Sequence, residues 1–461
     1  MDLTITGTGT VQTSRVVVML PYPLEGHINP MLQLANILHS KGFSITVLHT
    51  RFNAPNPTNH PHFNFIPIPG VAGDDLPVSD TGNLIRLMHV LNDECLGPVR
   101  DCLERLLSED AGVACFVTDA QWFAVQKVAD GLKVPRVVYW TSSVSAFLSF
   151  SAVPLLRHMG CFRRFSDEEK KSEALVTGLE PLKVRDLSKF LTSDPEGASK
   201  LMELMVQGMK PAQAVIWNTF KELEELQLVN LHRDFPNRHF LIGPFHKYFP
   251  ALSTSLLTRD ENCISWLDKQ APKSVLYVSF GSLAGVEESQ FLEIAWGLAN
   301  SKQPFLWVVR PGSVKGSEWL EPLPDGFLER IAEGRGYIVK WAPQRKILAH
   351  HSIGGFWTHS GWNSTLESVC EGVPMICSPS FGDQLPNARN VSDVWKIGVE
   401  LRNGFERGEI ESVIKRVMVD EDGLEMKDRI MNLKEKANLC LKKGGSSYSS
   451  LEDLVKFILS C

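Results

Sequence analysis

Five side chains of kinds that often bind ligands fall within nine residues of the segment GFWTHSGWNSTLESVCEGVP, which covers positions 355–374. They are His359, Trp362, Asn363, Ser364 and Glu367. An apolar run precedes them and a helical pattern follows, so we predict that they lie at the N-terminus of a helix. Such a terminus binds anions through its free N–H groups and its dipole. Ser364 and Glu367 also have the spacing of a capping box, so a structural role stays open at this point.

A second set of residues has the chemistry of proton transfer. His27 follows Gly26 in PYPLEGHINP, where the apolar run RVVVML gives way to a helical pattern. The positive end of that helix favours the unprotonated imidazole, which is the form that acts as a base. Asp119 ends another apolar run, VACFVTD, and could orient the imidazole through a ring N–H. The pair follows the logic of a Ser-His-Asp triad whose hydroxyl comes from a substrate, and a histidine that only caps or packs is the alternative.

Composition limits the class of protein. At 461 residues the chain is too long for one ordinary core, so two or three domains are predicted. Its 47 basic and 53 acidic residues are interspersed and give a net charge of −6, which offers no basic stripe to a nucleic acid. Nine scattered cysteines without CxxC or zinc spacing indicate reduced thiols in the cytoplasm and no metal site.

No targeting or membrane-spanning segment is predicted. The stretch MDLTITGTGTVQTSR lacks a basic n-region, and the apolar run after it is stopped by Pro21. The uncharged stretch VVYWTSSVSAFLSFSAVPLL, at 137–156, carries six Ser or Thr residues and an internal proline. We interpret it as a buried strand followed by a helix.

Strand-like and helical patterns alternate through both halves of the chain. The runs RVVVML, FSITVLH, VACFVTD and PRVVYW are followed later by SVLYVSFGS, PFLWVVR, GYIVKW, IGGFWT and PMICS. Continuous Val, Ile and Leu runs joined by crossover helices are typical of buried parallel strands. We therefore predict an α/β protein of two Rossmann-like, doubly wound domains facing across a cleft, with the ligands at the carboxyl ends of the strands.

The composition of the connecting segments suggests domain boundaries. We expect a first domain at 1–243, a Pro-, Ser- and Thr-rich linker at 244–260 and a second domain at 261–443. Residues 444–461 follow an amphipathic helical pattern, which needs a surface to cover.

The segment 341–384, WAPQRKILAHHSIGGFWTHSGWNSTLESVCEGVPMICSPSFGDQ, resembles the signature box of plant family 1 UDP-sugar glycosyltransferases nearly throughout. The likeness extends from PYPLEGHINP to KGGSSYSSLEDLV. It implies the GT-B fold, with the donor bound mainly by the C-terminal domain and the last helix crossing back to the first. The branch that looks most similar contains steviol-glycoside, flavonoid, cytokinin and benzoxazinoid glucosyltransferases.

The resemblance also implies a role for each residue of a donor site. Trp341 and Ala342 would hold uracil, Gln344 and Glu367 the ribose, Ser282, His359, Asn363 and Ser364 the diphosphate, and Trp362, Asp383, Gln384 and Thr141 the sugar. A glutamine at the end of the box, here Gln384, goes with glucose in this family, so UDP-glucose is the expected donor. Glu25 stands where the family commonly has glutamine, and this departure bears on how an acceptor approaches His27.

The reaction implied by the resemblance is inverting transfer of glucose to a hydroxyl, an amine or a sugar hydroxyl of a small plant metabolite such as a flavonoid or terpenoid. No cofactor and no metal would be needed, and a monomer is expected. Phe123, Phe147, Met205 and Met209 are candidates to line the acceptor pocket, with a plain core role as the alternative. A non-catalytic nucleotide-sugar sensor is the competing function. A nicotinamide-dependent oxidoreductase is disfavoured because no GxGxxG follows a strand.

Overall fold

The computed structural model describes residues 15–69, 81–109, 112–160, 165–190, 194–249, 260–281, 285–331, 335–402 and 404–461. Within them lie two sheets, each formed entirely of parallel strands. Ser282 and most of the predicted linker fall outside the described residues.

The first sheet has the strand order β3-β2-β1-β4-β5-β6-β7. Its strands are β1 Val16–Leu20, β2 Ser44–His49, β3 Asn64–Pro67, β4 Val113–Asp119, β5 Arg136–Trp140, β6 Ala214–Trp217 and β7 Arg238–Leu241. The helices of this half are α1 Glu25–Ser40, α2 Thr81–Glu94, α3 Leu96–Ser108, α4 Gln126–Leu132, α5 Val144–Ser151, α6 Val153–His158, α7 Val184–Phe190, α8 Pro195–Met209 and α9 Glu225–Asp234.

The second sheet has the order β10-β9-β8-β11-β12-β13. Its strands are β8 Val275–Ser279, β9 Phe305–Val308, β10 Gly336–Val339, β11 Ile353–Thr358, β12 Met375–Cys377 and β13 Gly398–Glu400. Its helices are α10 Asn262–Leu267, α11 Glu288–Asn300, α12 Phe327–Ile331, α13 Gln344–Leu348, α14 Trp362–Glu371, α15 Gln384–Arg389, α16 Arg407–Met418 and α17 Glu421–Cys440, and α18 Ser446–Ser460 follows. A π-helical turn, Asn390–Val394, continues from α15.

Both sheets change winding direction once, between β1 and β4 in the first and between β8 and β11 in the second. At such a switch point the connections leave in opposite directions, which opens a crevice beyond the carboxyl ends of the two strands. The predicted doubly wound α/β architecture is therefore confirmed. The stretch at 137–156 forms most of β5 followed by α5 and part of α6, and no helix among the described residues is long and apolar enough to cross a membrane.

The central strands are buried on both faces because helices cover both sides of each sheet. In β1, Val18 and Leu20 pack into one apolar cluster, whereas Val17 and Met19 pack into another on the opposite face. This explains the uninterrupted apolar run of the strand, since neither face of it meets water. Three residues of α18, Leu451, Leu454 and Ile458, belong to the cluster of Val17 and Met19. The last helix thus completes the core of the first domain.

A buried ionic cluster joins the two domains. Arg389 of α15 donates to both carboxylate oxygens of Asp186 in α7, at 2.8 and 2.9 Å, and also to Glu400 of β13. Arg185 donates to the same Glu400 carboxylate. Burial acts to lower the pKa of Arg389, but the bonds to Asp186 and the charge of Glu400 raise it overall. These charges are buried, so the loss of any one member would leave a buried charge without its partner and would destabilise the fold.

We expect Arg389→Met to lower the free energy of unfolding by about 3–5 kcal/mol, because it leaves buried carboxylates without their partner. Chemical denaturation followed by tryptophan fluorescence measures the change. Arg407→Met is the matched control, since its ion pair with Glu293 lies at the surface, where water screens it and where its loss should have little effect on stability. Equal losses in the two variants would contradict the expectation.

Glu224, just before α9, provides a second test, based on pH. Its carboxylate is fully buried and accepts a hydrogen bond from the Ser145 N–H at 3.1 Å. Burial raises its pKa from 4.5 to about 7. Because the folded state holds the proton at pH values where the unfolded chain has released it, stability should be full below about pH 4.5 and fall as the pH rises through about 7.

We expect Glu224→Gln to remove this pH dependence, because the amide has no proton to release. Relative to the unsubstituted protein, the variant should gain roughly 3 kcal/mol of stability between pH 5 and pH 8. Unfolding midpoints measured across that range test the sign. A gap between the two proteins that stays constant with pH would show that Glu224 does not titrate in this interval.

Candidate active site

A cavity of about 400 Å³ lies between the domains, at the carboxyl ends of both sheets. Of the predicted site residues, it is lined by His27, Thr141, Met205, Trp341, Ala342, Gln344, His359, Trp362, Asn363, Ser364, Glu367, Asp383 and Gln384. Asp119 is fully buried directly behind His27. The structure therefore brings the two motifs of the sequence to opposite walls of one cleft.

The histidine and aspartate meet because their strands are neighbours. β1 and β4 pair in parallel, with Leu20 opposite Thr118, so the residues that follow Leu20 lie beside Asp119. His27 sits in the first turn of α1, and its Nδ1 lies 2.7 Å from Asp119 Oδ2. A carboxylate can only accept a hydrogen bond, so Nδ1 carries the hydrogen. The other nitrogen, Nε2, then carries no hydrogen, so its lone pair can receive a proton, as a general base requires.

His359 is held on the opposite wall in a slot that only glycines can form. It follows β11, and its ring lies between Gly281, which follows β8, and Gly361. A Cβ on Gly281 would lie 2.5 Å from the ring, and one on Gly361 would lie 2.4 Å from it. Burial, together with the charge of Arg310, lowers the pKa of His359 to about 4, so the ring is neutral near pH 7. Its Nδ1 is buried and has no hydrogen-bond partner among the described residues.

The helix that follows this slot, α14, begins at Trp362 with Gly361 as its N-cap. Ser364 is therefore the third residue of the helix, and the capping-box alternative for Ser364 and Glu367 is wrong. Glu367 Oε2 instead accepts a hydrogen bond from Gln344 Nε2 at 2.8 Å, and the same nitrogen lies 3.0 Å from Ser364 Oγ. These side chains are arranged toward the cavity and not toward the start of their own helix.

Two residues of α14 also reach the first domain. Asn363 Nδ2 donates to the carbonyl of Gly26 at 2.8 Å, next to His27 in sequence. The indole N–H of Trp362 donates to the carbonyl of Asn218 at 2.8 Å, so this group is already bonded within the protein. The N-terminus of α14 is thereby fixed against the wall that carries the histidine.

The predicted sugar-contacting residues lie beside a serine pair that sequence reasoning did not assign. Ser142 Oγ donates to Asp383 Oδ2 at 2.5 Å, and Ser143 Oγ donates to Asn387 Oδ1 at 2.6 Å. Burial raises the pKa of Asp383, and the Ser142 bond opposes that shift. Gln384 accepts a hydrogen bond from the Ser380 N–H at 2.9 Å. The position of both serines just after β5 was the only signal available in the sequence.

The part of the cavity that extends into the first domain is apolar. Its walls include Leu84, Ile85, Met88, Phe150, Leu201, Met202 and Met205. Of the four predicted pocket residues, only Met205 is among them, so the other three need correction. Phe147 and Met209 are buried in the core, where the Phe147 ring packs 4.6 Å from that of Phe235. Phe123 is half-buried against His89 and does not line the cavity.

Glu25 also lines the cavity, two residues before His27. Burial lowers the pKa of the Arg310 guanidinium, and the negative charge of Glu25 opposes that shift. The departure from the expected glutamine thus places a carboxylate on the cavity wall, close to His27 in sequence.

One wall of the cleft carries a histidine–aspartate pair, and the other carries a helix N-terminus. With two doubly wound domains around it, this cleft is that of an α/β enzyme that binds an anionic ligand opposite a base. Residues 259–436 match the family described as UDP-glucoronosyl and UDP-glucosyl transferase. The chain is 49% identical to UDP-glycosyltransferase 76B1 of Arabidopsis thaliana over 451 residues, 98% of this chain and 99% of that protein. It is also 49% identical to UDP-glycosyltransferase 76G1 of Stevia rebaudiana over 458 residues, 98% of each chain. The protein belongs to this family of UDP-glycosyltransferases.

Solved structures agree with this assignment. A UDP-glucosyltransferase from Polygonum tinctorium capable of glucosylating indoxyl matches with a TM-score of 0.83 at 29% identity, over 98% of this chain and 100% of that one. Phytolacca americana UGT2, complexed with UDP-2fluoro-glucose and pterostilbene, matches with a TM-score of 0.81 at 28% identity, over 97% of this chain and 100% of that one. Both are glycosyltransferases of the GT-B fold, and the predicted GT-B fold is confirmed.

The glycine slot gives a test of the anion-binding wall. We expect Gly361→Ala to weaken the binding of UDP at least tenfold, because the added methyl group would displace the His359 ring at the N-terminus of α14. Isothermal titration calorimetry measures the affinity. Gly408→Ala in α16 is the control, since a Cβ there meets nothing within 4 Å. Unchanged affinity in a folded Gly361→Ala variant would show that the position of His359 is not needed for UDP.

Proposed function

We propose that this protein transfers glucose from UDP-glucose to a hydroxyl of a small, largely apolar acceptor, with inversion at the anomeric carbon. The observation that carries the proposal is the bond between His27 Nδ1 and Asp119, which leaves His27 Nε2 as a base across the cleft from the N-terminus of α14. A base and an anion-binding terminus facing one cavity are the two groups that displacement of a diphosphate needs.

The donor occupies the wall formed by the second domain. The uracil stacks on Trp341, the ribose lies by Gln344 and Glu367, and the diphosphate lies at the start of α14. Gln344 and Glu367 are already joined by a hydrogen bond, so a ribose hydroxyl meets an oriented carboxylate. The neutral ring of His359 has a buried nitrogen with no partner in the described part of the chain, which suits an imidazole that uses its hydrogen-bonding groups on a bound diphosphate. Asp383, Gln384 and Thr141 face the sugar.

The transfer is a single displacement. The acceptor oxygen forms a bond to the anomeric carbon as the bond from that carbon to the diphosphate oxygen breaks, and UDP leaves with the electron pair. The acceptor proton passes to His27 Nε2, and Asp119 stabilises the imidazolium that results. The helix N-terminus and the donors around it stabilise the charge that grows on UDP, so the proposal requires neither metal nor cofactor. Attack from the face opposite to UDP gives a β-glucoside.

The acceptor binds in the apolar part of the cavity within the first domain, where Met88, Phe150 and Met205 suit a hydrophobic skeleton. Pterostilbene is a ligand of Phytolacca americana UGT2, and indoxyl is glucosylated by the enzyme from Polygonum tinctorium. For this chain they support only the size and polarity of the acceptor. A sensor without activity is not favoured, since the base and its orienting acid are both in place.

We further propose that the enzyme is a cytoplasmic monomer. All eight cysteines that the structure describes are free thiols, and only Cys461 among them is exposed. Buried free thiols are typical of a reducing compartment.

We expect His27→Ala to lower kcat/KM by about 10³-fold or more, because the variant lacks the imidazole that receives the acceptor proton. The affinity for UDP should stay within about twofold, since UDP binds to the other domain. Mass spectrometry of reactions with UDP-glucose and a panel of flavonols, diterpenoid glycosides, cytokinins and phenolic acids detects the gain of one hexose. His351→Ala, at an exposed histidine, is the control. Turnover of an unactivated alcohol by His27→Ala would rule out the assigned base.

A further inference from the structure

Gln121 touches both members of the histidine–aspartate pair. It follows Asp119 by two positions, just beyond β4, and lines the cavity. Its backbone N–H donates to Asp119 Oδ1 at 3.0 Å, and its side-chain Nε2 lies 3.2 Å from His27 Nε2. The nitrogen that acts as the base therefore has the Gln121 carboxamide as its neighbour.

The orientation of that carboxamide follows from the protonation of the histidine. The hydrogen on His27 Nδ1 is donated to Asp119, so in the neutral ring Nε2 has only a lone pair to offer. A carbonyl oxygen facing that lone pair would be repelled, whereas an N–H is attracted. The amide nitrogen of Gln121 therefore faces the ring, and its oxygen points elsewhere.

The carboxamide oxygen of Gln121 takes no part in this contact. Gln121 Oε1 is buried and has no hydrogen-bond partner among the described residues. Buried carbonyl oxygens in proteins almost always accept a hydrogen bond, and one that does not is a common sign of a missing donor. Next to the reacting nitrogen, Gln121 thus has an amide N–H that contacts His27 and an amide oxygen without a hydrogen-bond partner among the described residues.

A bound acceptor changes this arrangement. His27 Nε2 has one lone pair, so an acceptor hydroxyl that donates to it must replace the Gln121 N–H. The carboxamide is then released to rotate while it stays beside the bound hydroxyl. That rotation would turn Gln121 Oε1, which is buried in the structure, toward the cavity, where a second hydroxyl on the adjacent carbon of the acceptor would donate to it. The two hydroxyls of such a molecule would satisfy both the base and the unpartnered oxygen.

We propose that Gln121 is a specificity-determining residue, which selects acceptors that carry a second hydroxyl on the carbon next to the reacting one. The chemical class is that of catechols and vicinal diols. This inference rests on the proposed function, because it assigns His27 Nε2 as the base that receives the acceptor proton. A residue that merely braced His27 and Asp119 would affect every acceptor equally, and this difference provides the test.

Three probe acceptors separate the two roles. They are 4-methylcatechol, 4-methylphenol and 2-methoxy-4-methylphenol, which share a skeleton and differ in the group next to the reacting hydroxyl. With saturating UDP-glucose we expect kcat/KM per hydroxyl to be about fivefold or more higher for the catechol than for either other probe, the size of one net hydrogen bond. In Gln121→Leu that ratio should fall about fivefold or more below its value in the unsubstituted enzyme.

Two further variants complete the experiment. Gln121→Glu keeps an oxygen that can accept from the second hydroxyl but loses the N–H, so it should retain the preference for the catechol at a lower kcat. Gln227→Leu, in α9 and away from the cavity, makes the same change of side chain and should match the unsubstituted enzyme in both rate and ratio. Because each result is a ratio between probes in one protein, the differing intrinsic reactivity of the phenols cancels between proteins.

Three outcomes would overturn the inference. One is an equal loss of activity on all three probes in Gln121→Leu, which would leave Gln121 as a positioning residue only. Another is an unsubstituted enzyme that shows no preference for the catechol. The third is an enzyme that neither binds nor glucosylates any of the three probes yet transfers glucose to other hydroxyl acceptors, in which case the proposed function would stand. Absence of transfer to every acceptor would instead be a failure of the proposed function itself.

Discussion

The hydrogen bond between His27 and Asp119 constrains much of the surrounding structure. A fully buried carboxylate is tolerated only with its oxygens bonded, and here one oxygen accepts from the ring of His27 and the other from the backbone of Gln121. That arrangement requires β1 and β4 to lie side by side in parallel, so that residues 92 positions apart in sequence meet at one edge of the sheet. It also requires the switch in winding direction that opens the crevice there. The pairing of β1 with β4 therefore determines both where the crevice opens and how the base is oriented.

The second domain repeats this construction for the opposite chemical task. Where the first sheet places a base, the second places a neutral imidazole and a helix N-terminus at its own switch point. Neither wall is complete alone. Asn363 reaches Gly26, Ser142 reaches Asp383, and Arg389 reaches Asp186, so both polar and ionic bonds fix the distance between the walls. Most of these partners are short side chains at strand ends or helix starts, where small shifts of backbone would break them.

Much of this arrangement could be predicted from the sequence, because buried parallel strands are continuous apolar runs and functional residues follow them directly. These two rules point to His27, Asp119 and His359, and the family resemblance implies the remaining donor residues. The apolar side of the pocket was harder. Phe147 and Phe150 lie in the same helix, yet only Phe150 lines the cavity, whereas Phe147 packs against Phe235. Sequence periodicity predicts that both side chains are buried, but it does not predict whether a side chain contacts a ligand or another aromatic ring. Contacts between side chains of the two domains, such as that of Ser142 with Asp383, depend on how the domains meet, which no local pattern records.

The packing of α18 has a consequence for the order in which the molecule can be made. Leu451, Leu454 and Ile458 fill the same apolar cluster as Val17 and Met19, although more than 400 residues separate them in the chain. A ribosome delivers the first sheet long before it delivers α18, which together with α1 covers one of its faces. The nascent first domain must therefore wait, with apolar surface uncovered, while the whole second domain is synthesised, and it needs protection by chaperones or by its own incomplete collapse during that interval.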